Sequence, residues 1–136
     1  MTYTFKSRGY FNNQLAEASQ IELKKFGEFL KIYNVYGLSD FSKYPGKISP
    51  SWSNLSFVHP DYQYAKDNSL WHYHIGLPSY RRWPNCSYQT SDKILHFQWP
   101  DRGNKIYLVE IAPHSQNSSK ILNKNQFTLP TPEKLE

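Results

Sequence analysis

Three short runs in the second half of the chain constrain the fold most: LWHYHI at 70–75, ILHFQW at 94–99 and KIYLVEI at 105–111. All three are rich in aromatic and β-branched residues, as strands are. Side chains two apart on a strand share a face. His72 and His74 therefore point one way, and Trp71, Tyr73 and Ile75 the other. His96 stands in the same relation to Leu95, Phe97 and Trp99. The alternation predicts a sheet with an aromatic face for the core and a histidine-bearing face toward solvent. Arg81, Arg82, Lys93 and Arg102 lie between the runs and His114 follows the last. Such a face would suit phosphate binding and proton transfer.

The length of 136 residues fits one domain, read over 1–126, with a flexible C-terminal tail over 127–136. The formal charge of +5 favours an anionic partner, with nucleic acid first among them. Aromatic residues make up 17% of the chain. Beside basic residues they either stack on bases or fill a small β-rich core. The lone Cys86 excludes an intramolecular disulfide and a multi-cysteine zinc site, and it suits a cytoplasmic protein. The N-terminus lacks the apolar stretch of a signal peptide, and no segment approaches a membrane span. No membrane partner is expected.

Residues 2–11 can form a short strand. Asn12 and Asn13 are turn and N-cap residues. Residues 14–33 read as one helix, with Leu15, Leu23, Phe26, Leu30 and Tyr33 on its apolar side and a stop before Gly37. Pro45, Gly46, Pro50 and Pro60 predict an irregular stretch over 38–69, with at most a short strand at 55–58. A strand near Ser87 is expected to bend at Ser91 and Asp92 and run on into 94–99. Pro100 to Asn104 make a hairpin turn, and residues 115–126 can form one or two helical turns.

Metal-free RNA cleavage needs a base for the 2′-hydroxyl, an acid for the leaving 5′-oxygen, and cations for the phosphorane. Histidine, aspartate and arginine between 72 and 114 supply all three. Each has a plainer reading. His72 and His74 can be polar residues of an amphipathic strand, or a His-x-His metal pair. His96 can be a cross-strand hydrogen-bonding residue. Arg81 and Arg82 can be a solvated loop pair, and Asp92 a turn residue.

The ordered motifs resemble the YafO-type toxins of bacterial toxin–antitoxin pairs, within the RelE-like group of small ribonucleases. The resemblance rests on TFKSR at 4–8, FLKIY at 29–33 with Gly37 and Leu38, HYHI at 72–75, TSD at 90–92 with Ile94 and Leu95, and LVEIAPH at 108–114. It implies an α+β fold: a curved, mostly antiparallel sheet with the N-terminal helix packed on one face and RNA bound on the other. It implies an endoribonuclease that cuts mRNA in the ribosomal A site without cofactor or metal, silenced by a cognate antitoxin. By motif position, His74, Asp92 and His114 fall where relatives carry catalytic residues. Tyr88 fills a slot that some relatives give to histidine; a phenol with a pKa of about 10 is a poor base, so His72 or His96 would substitute. Arg81, Arg82, Tyr80, Lys93 and Arg102 would bind RNA. The rival expectations are a non-catalytic RNA- or ribosome-binding module, a metal-dependent nuclease built on His72 and His74, and a secreted competition toxin.

Overall fold

The alternation in the three runs is realised as the centre of a mixed sheet. The computed structural model describes residues 2–7, 9–53, 56–58, 60–82, 84 and 89–113. Along the chain these form β1 (Thr4–Ser7), α1 (Gly9–Ala16), α2 (Gln20–Tyr36), β2 (Ile48–Pro50), α3 (Pro60–Asp67), β3 (Leu70–His74), β4 (Arg81–Arg82), β5 (Gln89–Thr90), β6 (Lys93–Gln98) and β7 (Lys105–Pro113). The main sheet has five strands in the order β1-β7-β6-β3-β2. β1 runs parallel to β7, and every other pairing in it is antiparallel. β4 and β5 pair separately. The α+β class with a mostly antiparallel sheet is therefore as expected, and no helix among the described residues is long and apolar enough to cross a membrane.

The expected single helix over 14–33 is two helices. Ser19 breaks it with a capping box: its hydroxyl accepts from the Glu22 amide at 3.2 Å, and the Glu22 carboxylate accepts from the Ser19 amide at 3.0 Å. This satisfies two amides that a helix start leaves without partners. The first strand is correspondingly shorter, and Asn12 and Asn13 lie inside α1 rather than capping it. Gly37 ends α2 as expected. α2 buries Phe26, Phe29 and Tyr33, whereas Leu23 is 44% exposed, outside the apolar stripe.

The aromatic face forms the main core. Trp71, Tyr73, Leu95, Phe97, Ile106 and Leu108 pack against Phe11, Phe26, Phe29 and Tyr33. Phe29 sits at its centre, with ring centroids 5.1 Å from Tyr73, 5.7 Å from Tyr44 and 6.2 Å from both Phe97 and Tyr33. Two polar ties fix the helices to the sheet. The Tyr33 hydroxyl lies 2.6 Å from the Thr4 carbonyl oxygen and 3.1 Å from that of Asn104, at the β1–β7 seam. Beyond the end of β1, the Gln14 side-chain amide takes the place of a neighbouring strand, accepting from the Ile111 amide at 2.8 Å and donating to the Ile111 carbonyl at 2.9 Å.

The other face is not open. α3 lies across it, with Ala65 and Tyr64 against Leu70 and Val109, and Trp52 packs beside them. His72, His96 and Glu110 are buried. The irregular stretch expected over 38–69 thus holds β2 and α3, and Phe57 and Val58 sit in a turn rather than a strand. Pro60 starts α3 instead of breaking it; proline is favoured at a first helical position, where an amide hydrogen has no helical partner. The tail over 127–136 and the segment 115–126 lie outside the described residues.

Phe29→Ala removes the ring that joins α2 to the sheet. It is expected to lower unfolding stability by about 3–5 kcal/mol, while Val35→Ala, at an exposed position, stays within about 0.5 kcal/mol. Urea denaturation checks both.

Candidate functional site

With both faces covered, polar chemistry concentrates in two places: a buried layer under α3 and one end of the sheet. Antiparallel register builds that end. His74 pairs with Ile94, Ile94 with Ala112, and Lys93 with Pro113. The end of β3, the start of β6 and the end of β7 therefore meet.

Ser91 locks the junction. Its hydroxyl accepts from the Gly76 amide at 3.0 Å and donates to the Lys93 carbonyl at 2.8 Å. Its amide donates to His74 Nδ1 at 3.0 Å, and its carbonyl oxygen lies 2.9 Å from the same nitrogen. An amide can only donate, so Nδ1 accepts from it when unprotonated; a protonated Nδ1 turns to the carbonyl instead. Either form holds the imidazole against the turn that carries Asp92. The approach is close: a Cβ on Gly46 would collide with the His74 carbonyl oxygen, and one on Gly76, whose φ is +92°, would meet the Tyr80 ring. Both positions require glycine.

Charged side chains gather outside this lock. Arg81 and Asp92 form an ion pair with side chains 58% and 59% exposed. Lys93 reaches Glu22 Oε2 at 3.5 Å. The Glu22 carboxyl is held below its ordinary range, first by the Ser19 amide and further by the Lys93 charge. Arg82 is exposed on β4. Tyr80 is half-buried, with its hydroxyl 2.9 Å from that of Tyr73, and burial raises its pKa. Its ring serves as a wall of the Gly76 turn under Lys25.

The structure brings together Arg81, Arg82, Asp92, Lys93 and, beneath them, the His74 ring. It does not bring Arg102 there: Arg102 lies at the opposite end of the sheet, in the turn between β6 and β7. His74 itself is 5% exposed, a support for the Asp92 turn rather than a surface residue. His72 and His96, expected toward solvent, lie deeper on the covered face. His114, Tyr88 and Cys86 lie outside the described residues; the last described residue, Pro113, pairs with Lys93.

The buried layer runs inward from His74. The His72 ring lies 5.6 Å from that of His74 and 6.1 Å from that of His96. Ser49 and Ser51 hydroxyls bracket His72, at 3.2 Å from Nε2 and 3.1 Å from Nδ1. Both nitrogens therefore have hydroxyl partners, an arrangement unlike a prepared metal pair. Among the described residues no group of three or more His, Cys, Asp or Glu could hold a metal ion. His96 Nδ1 meets Glu110 Oε2 at 3.1 Å with both side chains fully buried, and Nε2 has no partner among the described residues. Tyr64 of α3 overlies this pair; burial raises its pKa, and the charges of Glu110 and Asp61 raise it further. Comparison with protein-family models, curated proteins and solved structures finds no match.

Removing one member of a buried pair leaves the other without its partner. Glu110→Leu is expected to cost about 3–5 kcal/mol, and adding His96→Phe should restore at least about 1 kcal/mol of it. A double-mutant cycle from urea unfolding checks this; strictly additive losses would show that the two side chains are uncoupled.

Proposed function

We propose that this protein is a metal-independent endoribonuclease toxin of the YafO type, RelE-like in the wider sense, acting on mRNA in the ribosomal A site. The single observation that supports the reading is the convergence, at one exposed sheet end, of Arg81, Asp92 and Lys93, the His74–Ser91 lock and the end of β7, one residue before His114. The described parts of the motifs of the resemblance, HYHI, TSD and LVEIAP, are the segments that meet there. A cognate antitoxin as inhibitor and a cytoplasmic setting belong to the same proposal.

The chemistry follows from the charges. An exposed ion pair is worth about 0–1 kcal/mol, so a phosphate can draw Arg81 away from Asp92 at little cost. The guanidinium fork then holds the scissile phosphate, and the freed carboxylate stands beside it. One group removes the 2′-hydroxyl proton, the 2′-oxygen bonds to phosphorus, and a second group protonates the departing 5′-oxygen. The products are a 2′,3′-cyclic phosphate and a 5′-hydroxyl. His114 is assigned one of the two proton transfers, with Asp92 assisting. His74 is a positioning residue, since it fixes the Asp92 turn from beneath. His72 and His96 have no direct part.

The test is transcript-end mapping with purified protein and translating ribosomes. His114→Ala and Asp92→Asn should each lower the cleavage rate by about 100-fold or more, with circular dichroism unchanged, and should relieve growth arrest on expression. Full cleavage by both variants would reject the assignment. RNA binding without new ends in the wild type would mark a non-catalytic binding module instead.

A further inference from the structure

The opposite end of the sheet holds a second feature that this chemistry does not use. Two adjoining depressions of about 390 Å³ and about 360 Å³ share Leu38, Ser39, Trp99 and Arg102 in their walls. Tyr3 and Asn104 complete one, and Phe41 and Asp40 the other. The first is mostly apolar, whereas Ser39, Asp40 and Arg102 make the second about evenly polar and apolar; their size suits a small ligand.

The turn between β6 and β7 builds this place at a cost. Asp101 and Arg102 have φ of +55° and +50°, two successive non-glycine residues in the left-handed region. A side chain with a Cβ is strained in that conformation. In exchange, the Arg102 guanidinium lies 4.9 Å from the Trp71 ring centroid and 5.6 Å from that of Trp99. Phe41 stands 6.1 Å from both tryptophans. The indole N–H of Trp99 is already given to the Gly103 carbonyl at 2.8 Å, and the Ser39 hydroxyl to the Tyr36 carbonyl at 3.2 Å. Arg102 is exposed and has no ion-pair partner among the described residues. Trp71 and Trp99 are only 3% and 5% exposed under this guanidinium, so the aromatic surface open to a ligand is that of Phe41 and Tyr3, beside a planar cation whose donors enter no ion pair among the described residues. A flat heteroaromatic ring bearing a phosphate matches both: the ring stacks and the fork takes the anion.

We propose that this cleft is a nucleotide subsite that seats one unpaired base of RNA through Arg102 and the rings around it. The source of that nucleotide, a substrate strand, rests on the ribonuclease reading; the affinity of the cleft for nucleotides does not. Five residues of β6, 94–98, separate Lys93 from Trp99, about 20 Å of strand. A single RNA strand bound at both ends would therefore be held at two points, which fixes its direction across the protein.

The test uses the full chain and the four ribonucleoside 5′-monophosphates, with the Trp99 indole resonance as the local reporter. Saturable shifts with at least one nucleotide, and none with inorganic phosphate alone, are expected. Arg102→Ala should weaken binding on the order of tenfold, as loss of a cation–π and phosphate contact would. Arg102→Lys, which keeps the charge but cannot stack, should fall between. Asp92→Asn should bind as the wild type does while losing cleavage. No shift at Trp99 with any nucleotide, or equal binding by Arg102→Ala and wild type, would overturn the subsite. Nucleotide binding that depends on Arg102 in a protein that cuts no RNA would leave the subsite standing and reject the ribonuclease reading.

Discussion

Burial of both faces of a single sheet is the constraint on which the rest of this structure depends. On one face, aromatic residues of β3 and β6 meet the rings of α1 and α2. On the other, α3 lies over a polar layer that must satisfy itself internally: His72 between two serines, His96 on Glu110, and Gln98 donating to the Asn68 carbonyl. An unpaired buried polar group costs about 1–3 kcal/mol, so this layer holds only where its partners are in place. Among the described residues, the parts of the sheet left uncovered are its two ends.

These ends differ in kind. At one, Ser91 ties the end of β3 to the start of β6 and presents Asp92, Arg81 and Lys93 around a rigid turn. The groups are charged, exposed and weakly paired, which suits exchange with a phosphate. At the other, two left-handed residues hold a guanidinium over indole rings, which suits a flat ring. The glycine contacts at Gly46 and Gly76 show how tightly the first end is assembled. A histidine there acts best by holding the turn, because its ring is buried and its Nδ1 is already engaged.

The strands of the second half were legible because period-two alternation of large apolar residues has few other realisations. The burial of the opposite face is not legible in the sequence for a specific reason. Histidine, glutamine and glutamate at alternate positions have the same pattern whether water or buried partners satisfy them, and the partners, Ser49, Ser51 and Asn68, come from distant segments. α3 is hard to see in the sequence because PDYQYAKD has few apolar residues and opens on a proline. The break between α1 and α2 did carry a local signal, Ser19 three residues before Glu22, masked by apolar spacing that continues across it. The convergence of His74, Asp92 and the end of β7 follows from register, which no single segment encodes. Arg102 looked equivalent to Arg81 and Arg82 by type, and only topology separates them.

On the proposed reading, RNA meets this protein at the sheet ends and not over the covered face. Backbone amide shift mapping with a short single-stranded RNA made uncleavable by 2′-O-methylation tests it most directly. Perturbations are expected at Arg81, Asp92 and Lys93 and around Arg102, with His96, Glu110 and the α3 amides unmoved. Shifts concentrated on α3 and the residues beneath it, with the Asp92 turn silent, would contradict it.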